Sequence, residues 1–248
     1  MNFKPVEVTD FYECEYNGIP KVIYIIWKGE AWPDYANKQI FDWQSKLDSS
    51  WVIYHFGNEE LEILKRNADE FGKKVINVAE SMPEIASYVD IIRLYLIYKN
   101  GGYYFDADFE VYNSLDPVSH IDSDLIVSNS TEAYHPYMDN CFFAAKKGNN
   151  FLKFCLDKLI NRFENSPEEM KNDWIVSRTG PIFFGTSLLE FNGFDRIVKK
   201  IPYQYFYRNQ KGDALIVRNE HGQALEEVTE TFEHRIARHM FCSNGTYK

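Results

Sequence analysis

The sequence predicts an α/β chain with a Rossmann-like, mostly parallel central sheet flanked by helices. Three observations carry that prediction. Ile19-Pro-Lys-Val-Ile-Tyr-Ile-Ile-Trp27 is a nearly continuous apolar run, as expected of a strand buried on both faces. Strand-like and helix-like stretches then alternate as far as Val78, the signature of βαβ units with parallel pairing. Residues 90–108 read as a helix, a glycine break and a strand that ends in two acids, Asp106 and Asp108.

Taken in order, Lys28-Gly29 ends the first strand, and Ile40, Trp43 and Leu47 are in phase for a helix. Trp51–Phe56 reads as a second strand and Glu59–Phe71 as a second helix. Asn58 is placed to cap that helix. Glu59, Glu60 and Glu62 then fall where the positive helix end favours acids. Leu61, Leu64 and Ala68 supply its apolar stripe. Lys73-Lys-Val-Ile-Asn-Val78 is expected to be a third strand, completing a nucleotide-binding half. The motif Gly-x-Gly-x-x-Gly is absent, so a dinucleotide site is not supported. Further on, Leu125–Val127 and Asn140–Lys146 read as strands and Asn150–Phe163 as a helix. Asn165-Ser-Pro-Glu-Glu-Met reads as an exposed loop or helix entry. Thr179-Gly180-Pro181 reads as a turn opening a helix, with proline at a first helical position. No repeat or low-complexity tract occurs, and one domain over 1–248 is the simplest organisation.

The chemistry concentrates between Asp90 and Asp108. Ile85, Val89, Ile92 and Leu96 have the period of a half-buried helix, and Asp90 and Arg93 share one of its faces. Asn100-Gly101-Gly102 stops it, because glycine accepts the left-handed conformation of a helix end. From Tyr103 to Tyr112, apolar and polar residues alternate. Read as one strand, that period of two puts Asp106 and Asp108 on the same side. Carboxylates so close repel each other and are costly to bury. A divalent cation is the simplest compensation, and oxygen ligands suit Mg²⁺, Ca²⁺ or Mn²⁺.

Composition narrows the function. A net charge of −10 and a pI near 5.1 argue against broad nucleic-acid binding. Aromatic content is high, at 17%; rings are good core material and also stack on sugars and bases. The four cysteines, Cys14, Cys141, Cys155 and Cys242, are scattered without a Cys-x-x-Cys. They read as reduced thiols, not a zinc site. No run of about eighteen apolar residues suits a membrane span, and Met1–Asp10 lacks the apolar segment of a signal peptide. A soluble cytoplasmic protein is expected.

Asp90-x-x-Arg93, then Leu94-Tyr95, then Gly101-Gly102-x-Tyr104-x-Asp106-x-Asp108 resembles the sugar-binding region of the Asp-x-Asp glycosyltransferases. The similarity is to glycosyltransferase family 32, with the catalytic domains of the large clostridial glucosylating toxins as relatives. Ile19-Pro-Lys-x-Ile resembles the family's first strand, with Tyr24 in place of its common His. Thr179-Gly180-Pro181, the aromatic stretch Ile201–Tyr207 and the terminal His239-x-x-x-Ser243 are also similar to family segments, with Asn244 where the family has Trp.

The resemblance implies a GT-A-like fold and a metal-dependent hexosyltransferase using a nucleotide sugar, UDP-linked by expectation, with retention of configuration. It implies a nucleotide-binding half over 1–112 and an acceptor-binding half with a C-terminal metal segment over 113–248. It implies that Asp108 and His239 ligate Mn²⁺ or Mg²⁺, with Asp106 touching the metal or the ribose hydroxyls. Trp27 would stack on the base (a core tryptophan is the alternative), and Asp90 and Arg93 would hold the donor sugar, with a mutual ion pair as the alternative. Tyr104 belongs to the donor-binding motif, Ser243 would reach the diphosphate, and Asn140 would lie near the reacting sugar. The expected acceptor is a glycan or lipid-linked sugar in bacterial surface polysaccharide synthesis, such as capsule or lipopolysaccharide, with work at the inner membrane face. Two other classes compete: an effector that glycosylates a protein, and a non-catalytic protein that binds nucleotide sugars.

Overall fold

Alternation along strand β1 (Val22–Ile26) sends Ile23 and Ile25 into one core and Tyr24 and Ile26 into another, so this strand is covered on both faces. A computed structural model describes residues 18–129, 138–191, 198–201, 214–218, 224–229 and 236–239. After β1 come α1 (Asp34–Lys46), β2 (Val52–Phe56), α2 (Asn58–Arg66), α3 (Glu70–Glu80), α4 (Ile85–Asn100), β3 (Gly102–Phe105) and β4 (Phe109–Val111). Then follow α5 (Asp116–Ser119), β5 (Leu125–Asn129), β6 (Met138–Ala145), α6 (Asn150–Asn165), α7 (Pro167–Asn172), α8 (Ile175–Arg178) and α9 (Pro181–Glu190). The last described elements are β7 (Val198–Ile201), β8 (Ala214–Arg218), β9 (Ala224–Thr229) and β10 (Ala237–His239).

Among the described residues, six strands form one sheet in the order β2-β1-β3-β6-β5-β7. β1 pairs parallel with β2 and β3, and β5 with β7. Only β6 opposes its neighbours in that sheet, β3 and β5. The mostly parallel sheet is therefore as the sequence predicts, and β3–β6 pairing joins strands from the two halves of the chain. One core packs α3, α4, α6 and α9 on one sheet face; the other packs α1 and β4 on the opposite face. β8 pairs with β9, and β10 with β4, as separate two-stranded sheets.

Five local expectations need correction. Lys73–Val78 is helix, within α3. Gly72, Val75, Ile76 and Ala79 are buried at helical spacing, and that packing overrides the β propensity of Val and Ile. Asp69 caps α3 by accepting from the Gly72 N–H at 2.7 Å. The expected helix over Glu59–Phe71 ends at Arg66. Asn58 is its first residue, not its cap; Gly57 precedes it, and the Gly57 N–H donates to Glu60 Oε2 at 2.9 Å. Residues 103–112 are not one strand. β3 stops at Phe105, a turn intervenes, and β4 leaves the main sheet to pair with β10. Nor is α4 half-buried: every residue from Asp90 to Ile97 is buried.

The helix break at Asn100-Gly101-Gly102 is as expected. Gly101 has φ 71° and donates its N–H to the Ile97 carbonyl at 2.8 Å. Gly102 has φ 114°, and a Cβ there would lie 2.7 Å from the Val22 carbonyl oxygen. Glycine is thus what lets α4 turn straight into a strand pressed against β1. Thr179-Gly180-Pro181 opens α9, with Pro181 in its first turn. Residues 165–170 are a helix entry, with Ser166 preceding α7 and Met170 buried. Cys141 and Cys155 are buried; Cys14 and Cys242 lie outside the described residues, as does most of 201–207.

Candidate active site

Parallel strands bring their carboxyl ends to one edge of the sheet, the usual place for a ligand in an α/β fold. Ile25 pairs with Phe105 across β1 and β3. Trp27 and Asp106 therefore emerge together at that edge. The N-terminal half of α4 lies on the sheet face below it and supplies Asp90 and Arg93.

Arg93 is the hub. Its guanidinium is 2.8 Å from Asp90 Oδ1 and 3.0 Å from Asp106 Oδ1, and it donates to the Asn140 carbonyl at 2.7 Å. Its Cζ lies 4.7 Å from the centre of the Tyr104 ring. Tyr104 donates its O–H to Asp106 Oδ1 at 2.7 Å. Asp90 also accepts from Asn140 Nδ2 at 2.9 Å and from Thr179 Oγ1 at 2.9 Å. A helix, two strands and the turn before α9 thus meet in one buried polar network. Burial pushes the Asp90 carboxyl up, while the Arg93 charge, Thr179 and Asn140 pull it down. The acids around Arg93 outweigh its own burial and raise its proton affinity further. The Tyr104 phenol is pushed far up, first by burial, so it stays a hydrogen-bond donor.

The two acids sit differently. Asp106 keeps a quarter of its side chain exposed, whereas Asp108 is 7% exposed. The residues between β3 and β4 form a turn, so a strand's alternation no longer relates the two carboxylates. Gln39 of α1 spans that turn. Its Nε2 donates to the Asp106 carbonyl at 3.0 Å, and its Oε1 accepts from the Phe109 N–H at 3.4 Å. An oxygen-only pair of acids at a strand end fits a hard divalent cation. No cluster of three or more His, Cys, Asp or Glu occurs among the described residues. The backbone of His239 pairs with Phe109, one residue beyond Asp108. Ser243 and Asn244 lie outside the described residues.

Trp27 is half-buried and meets Tyr35 edge-on, with ring centres 6.1 Å apart. Its indole N–H is buried without a hydrogen-bond partner among the described residues. Gly29 passes so close that a Cβ there would lie 2.9 Å from Trp27 Nε1. Next to Trp27, Lys28 holds its ammonium 3.5 Å from the centre of the Tyr88 ring.

The structure therefore brings Asp90, Arg93, Tyr104, Asp106 and Asn140 together, and places Trp27 at the same sheet edge. Sequence reasoning missed Gln39, Lys28 and the hydrogen bond from Thr179. It also missed the buried Arg178, which grips Glu84 with two hydrogen bonds of 2.8 and 3.1 Å at the start of α4. Gln39 left a trace: it lies one turn before the buried Trp43 and one after the buried Ala36, so a polar side chain occupies a core stripe.

Residues 24–140 match the family model described as glycosyltransferase sugar-binding region containing DXD motif. The chain carries a DXD glycosyltransferase region. That match spans Trp27, Gln39, Asp90, Arg93, Tyr104, both acids and Asn140, and stops short of Thr179 and His239. Searching the curated proteins finds no match. Among solved structures, the chain is similar to the PaToxG glycosyltransferase, at 17% identity and TM-score 0.55, over 71% of this chain and 72% of that one. It is also similar to the UDP-bound glycosyltransferase domain of the YGT toxin, at 11% identity and TM-score 0.56, over 75% of this chain and 80% of that one. At such identities the likeness is one of fold. The fold and the position of the DXD motif agree: the acids lie where the parallel strands end. No helix among the described residues is long and apolar enough to cross a membrane.

Proposed function

We propose that this glycosyltransferase moves a hexose from a UDP-sugar to a glycan or lipid-linked acceptor, using Mn²⁺ or Mg²⁺, in the synthesis of a bacterial surface polysaccharide such as capsule or lipopolysaccharide. The supporting observation is the buried guanidinium of Arg93, which holds the Asp106 carboxylate at the open edge of the sheet. Fixing that acid in advance removes a reorganisation that would otherwise accompany donor binding. Asp106, Asp108 and His239 would hold the cation, which when bound neutralises the charge gathering on the departing diphosphate.

The other roles in this reading are as follows. Trp27 offers a ring to the base. Asp90 already accepts from three protein donors, out of roughly four acceptor sites on a carboxylate, so it has about one left for a sugar hydroxyl. Arg93 and Asn140 share that wall of the site, close to the reacting sugar. Tyr104 is fully buried and serves the donor through Asp106. Ser243 is assigned to the diphosphate. Residues 1–112 would form the nucleotide half and 113–248 the acceptor half, with the enzyme working in the cytoplasm at the inner membrane face and retaining the donor's configuration. Nucleic acid is no partner in this reading, given the net charge of −10.

Asp108→Ala is the test. We expect the wild type to hydrolyse or transfer from UDP-glucose or UDP-galactose only with Mn²⁺ or Mg²⁺, and the variant to lose that activity. Near-wild-type turnover by the variant in the presence of chelator would sink the reading. Incubating the enzyme with lipid-linked sugars and, separately, with protein extracts decides between a polysaccharide enzyme and a protein-modifying effector. NMR of the product reads its anomeric configuration.

A further inference from the structure

Gln39 lies far in sequence from Asp106 and Asp108, yet its amide holds the turn that carries both. The side chain is 1% exposed. It donates to the main chain at one end of the turn and accepts from it at the other. Few side chains can do both at once: an ionised Glu only accepts, and Met or Leu does neither. The amide is anchored in α1, whose Trp43 packs against Phe105, with ring centres 4.9 Å apart. Phe105 is the residue just before Asp106. The turn is thus tied to one helix twice, through Trp43 at its entry and through Gln39 across its span.

We propose that Gln39 is a positioning residue of the donor site. It sets the span of the Asp106–Phe109 turn and so fixes how both carboxylates face the donor's cation and diphosphate. This rests on the reading above, in which those acids serve the cation. Support of this kind, one step removed from the ligands, changes metal affinity by about 10–100-fold when removed, and it is most effective from a rigid element.

The experiment is isothermal titration of UDP into the full chain, with and without Mn²⁺, alongside thermal melting. Four proteins are compared: wild type, Gln39→Met, Gln39→Glu and Asp69→Ala. Asp69 caps α3, outside the site, so its variant reports plain loss of stability. Wild type is expected to bind UDP with Mn²⁺. Gln39→Met and Gln39→Glu are expected to bind about 10–100-fold more weakly. Asp69→Ala should melt earlier yet bind as the wild type does. That contrast separates positioning from general loosening. If Gln39→Met fails to fold, Gln39→Glu, equal in length and still able to accept from Phe109, decides alone. Unchanged affinity in the folded Gln39 variants overturns this inference and leaves the functional reading standing. A wild type that ignores UDP with and without Mn²⁺ overturns both.

Discussion

Arg93→Met takes out the hub of the polar network while keeping a side chain of similar length. The guanidinium serves two carboxylates and a carbonyl, but these do not suffer equally. Asp106 is a quarter exposed, so water can replace its lost partner. Asp90 is 7% exposed and would stand as an uncompensated buried charge. Breaking a buried pair in this way costs about 3–5 kcal/mol. A ceiling applies, because the folded state can instead protonate Asp90. From an unfolded carboxyl pKa of about 3.9, that costs roughly 4 kcal/mol at pH 7. A loss of about 3–4 kcal/mol is therefore expected, or roughly 6–16 °C in melting temperature for a chain of this size.

The sign of the pH dependence follows from the same groups. Burial raises the Asp90 carboxyl and Arg93 lowers it, so removing Arg93 raises it further. A raised acid favours the folded state least at high pH: the penalty is absent below the unfolded pKa and grows as pH rises above it. The deficit of Arg93→Met should thus be small near pH 4–5 and full at pH 7, relative to the wild type. Urea titrations of both proteins at the two pH values measure it. The double variant Arg93→Met/Asp90→Asn, which removes the buried charge but keeps hydrogen-bonding capacity, should regain most of the loss at pH 7. A deficit under about 1 kcal/mol at pH 7, the size of an ordinary surface pair, would refute the reasoning. So would a deficit that grows on acidification.

Two other perturbations test separate parts of the argument. Gly102→Ala places a Cβ 2.7 Å from the Val22 carbonyl at φ 114°, so it should destabilise by at least the roughly 1–3 kcal/mol of a strained backbone, read as a lower melting temperature. Trp27→Ala should weaken UDP binding by about 1–3 kcal/mol, the worth of one stacked base. A titration showing the same affinity as the wild type would return Trp27 to a packing role.

What the sequence made legible was whatever one local pattern decides. The run Val22–Ile26 has to be buried on both faces, and it is. Gly101 and Gly102 have to break a helix, and their φ values show how. Residues 73–78 failed for a physical reason: Val75, Ile76 and Val78 favour a strand locally, but α3 is decided by what it packs against. Gly72 lies so close to Tyr95 that a Cβ would meet its hydroxyl at 2.0 Å, a contact no window of neighbouring residues contains. The alternation over 103–112 failed in another way. It is real on both sides of the turn, since Phe105 and Phe109 share one core, so the break between them leaves no mark in the period.

The site shows the same division more sharply. Asp90 and Arg93 are three residues apart, and helix geometry alone puts them on one face. That spacing says nothing of what separates this pair from an exposed helix pair worth a few tenths of a kcal/mol. The difference comes from partners at sequence distances of 47 to 89 residues, Asn140 and Thr179. They arrive because β6 runs antiparallel beside β3 and because α9 packs against β6. A charge can be buried here only because the sheet order brings donors to it. Strand order and site electrostatics are therefore one constraint, and the contacts of Gln39 and Thr179, which no linear reading contains, become visible as part of what satisfies it.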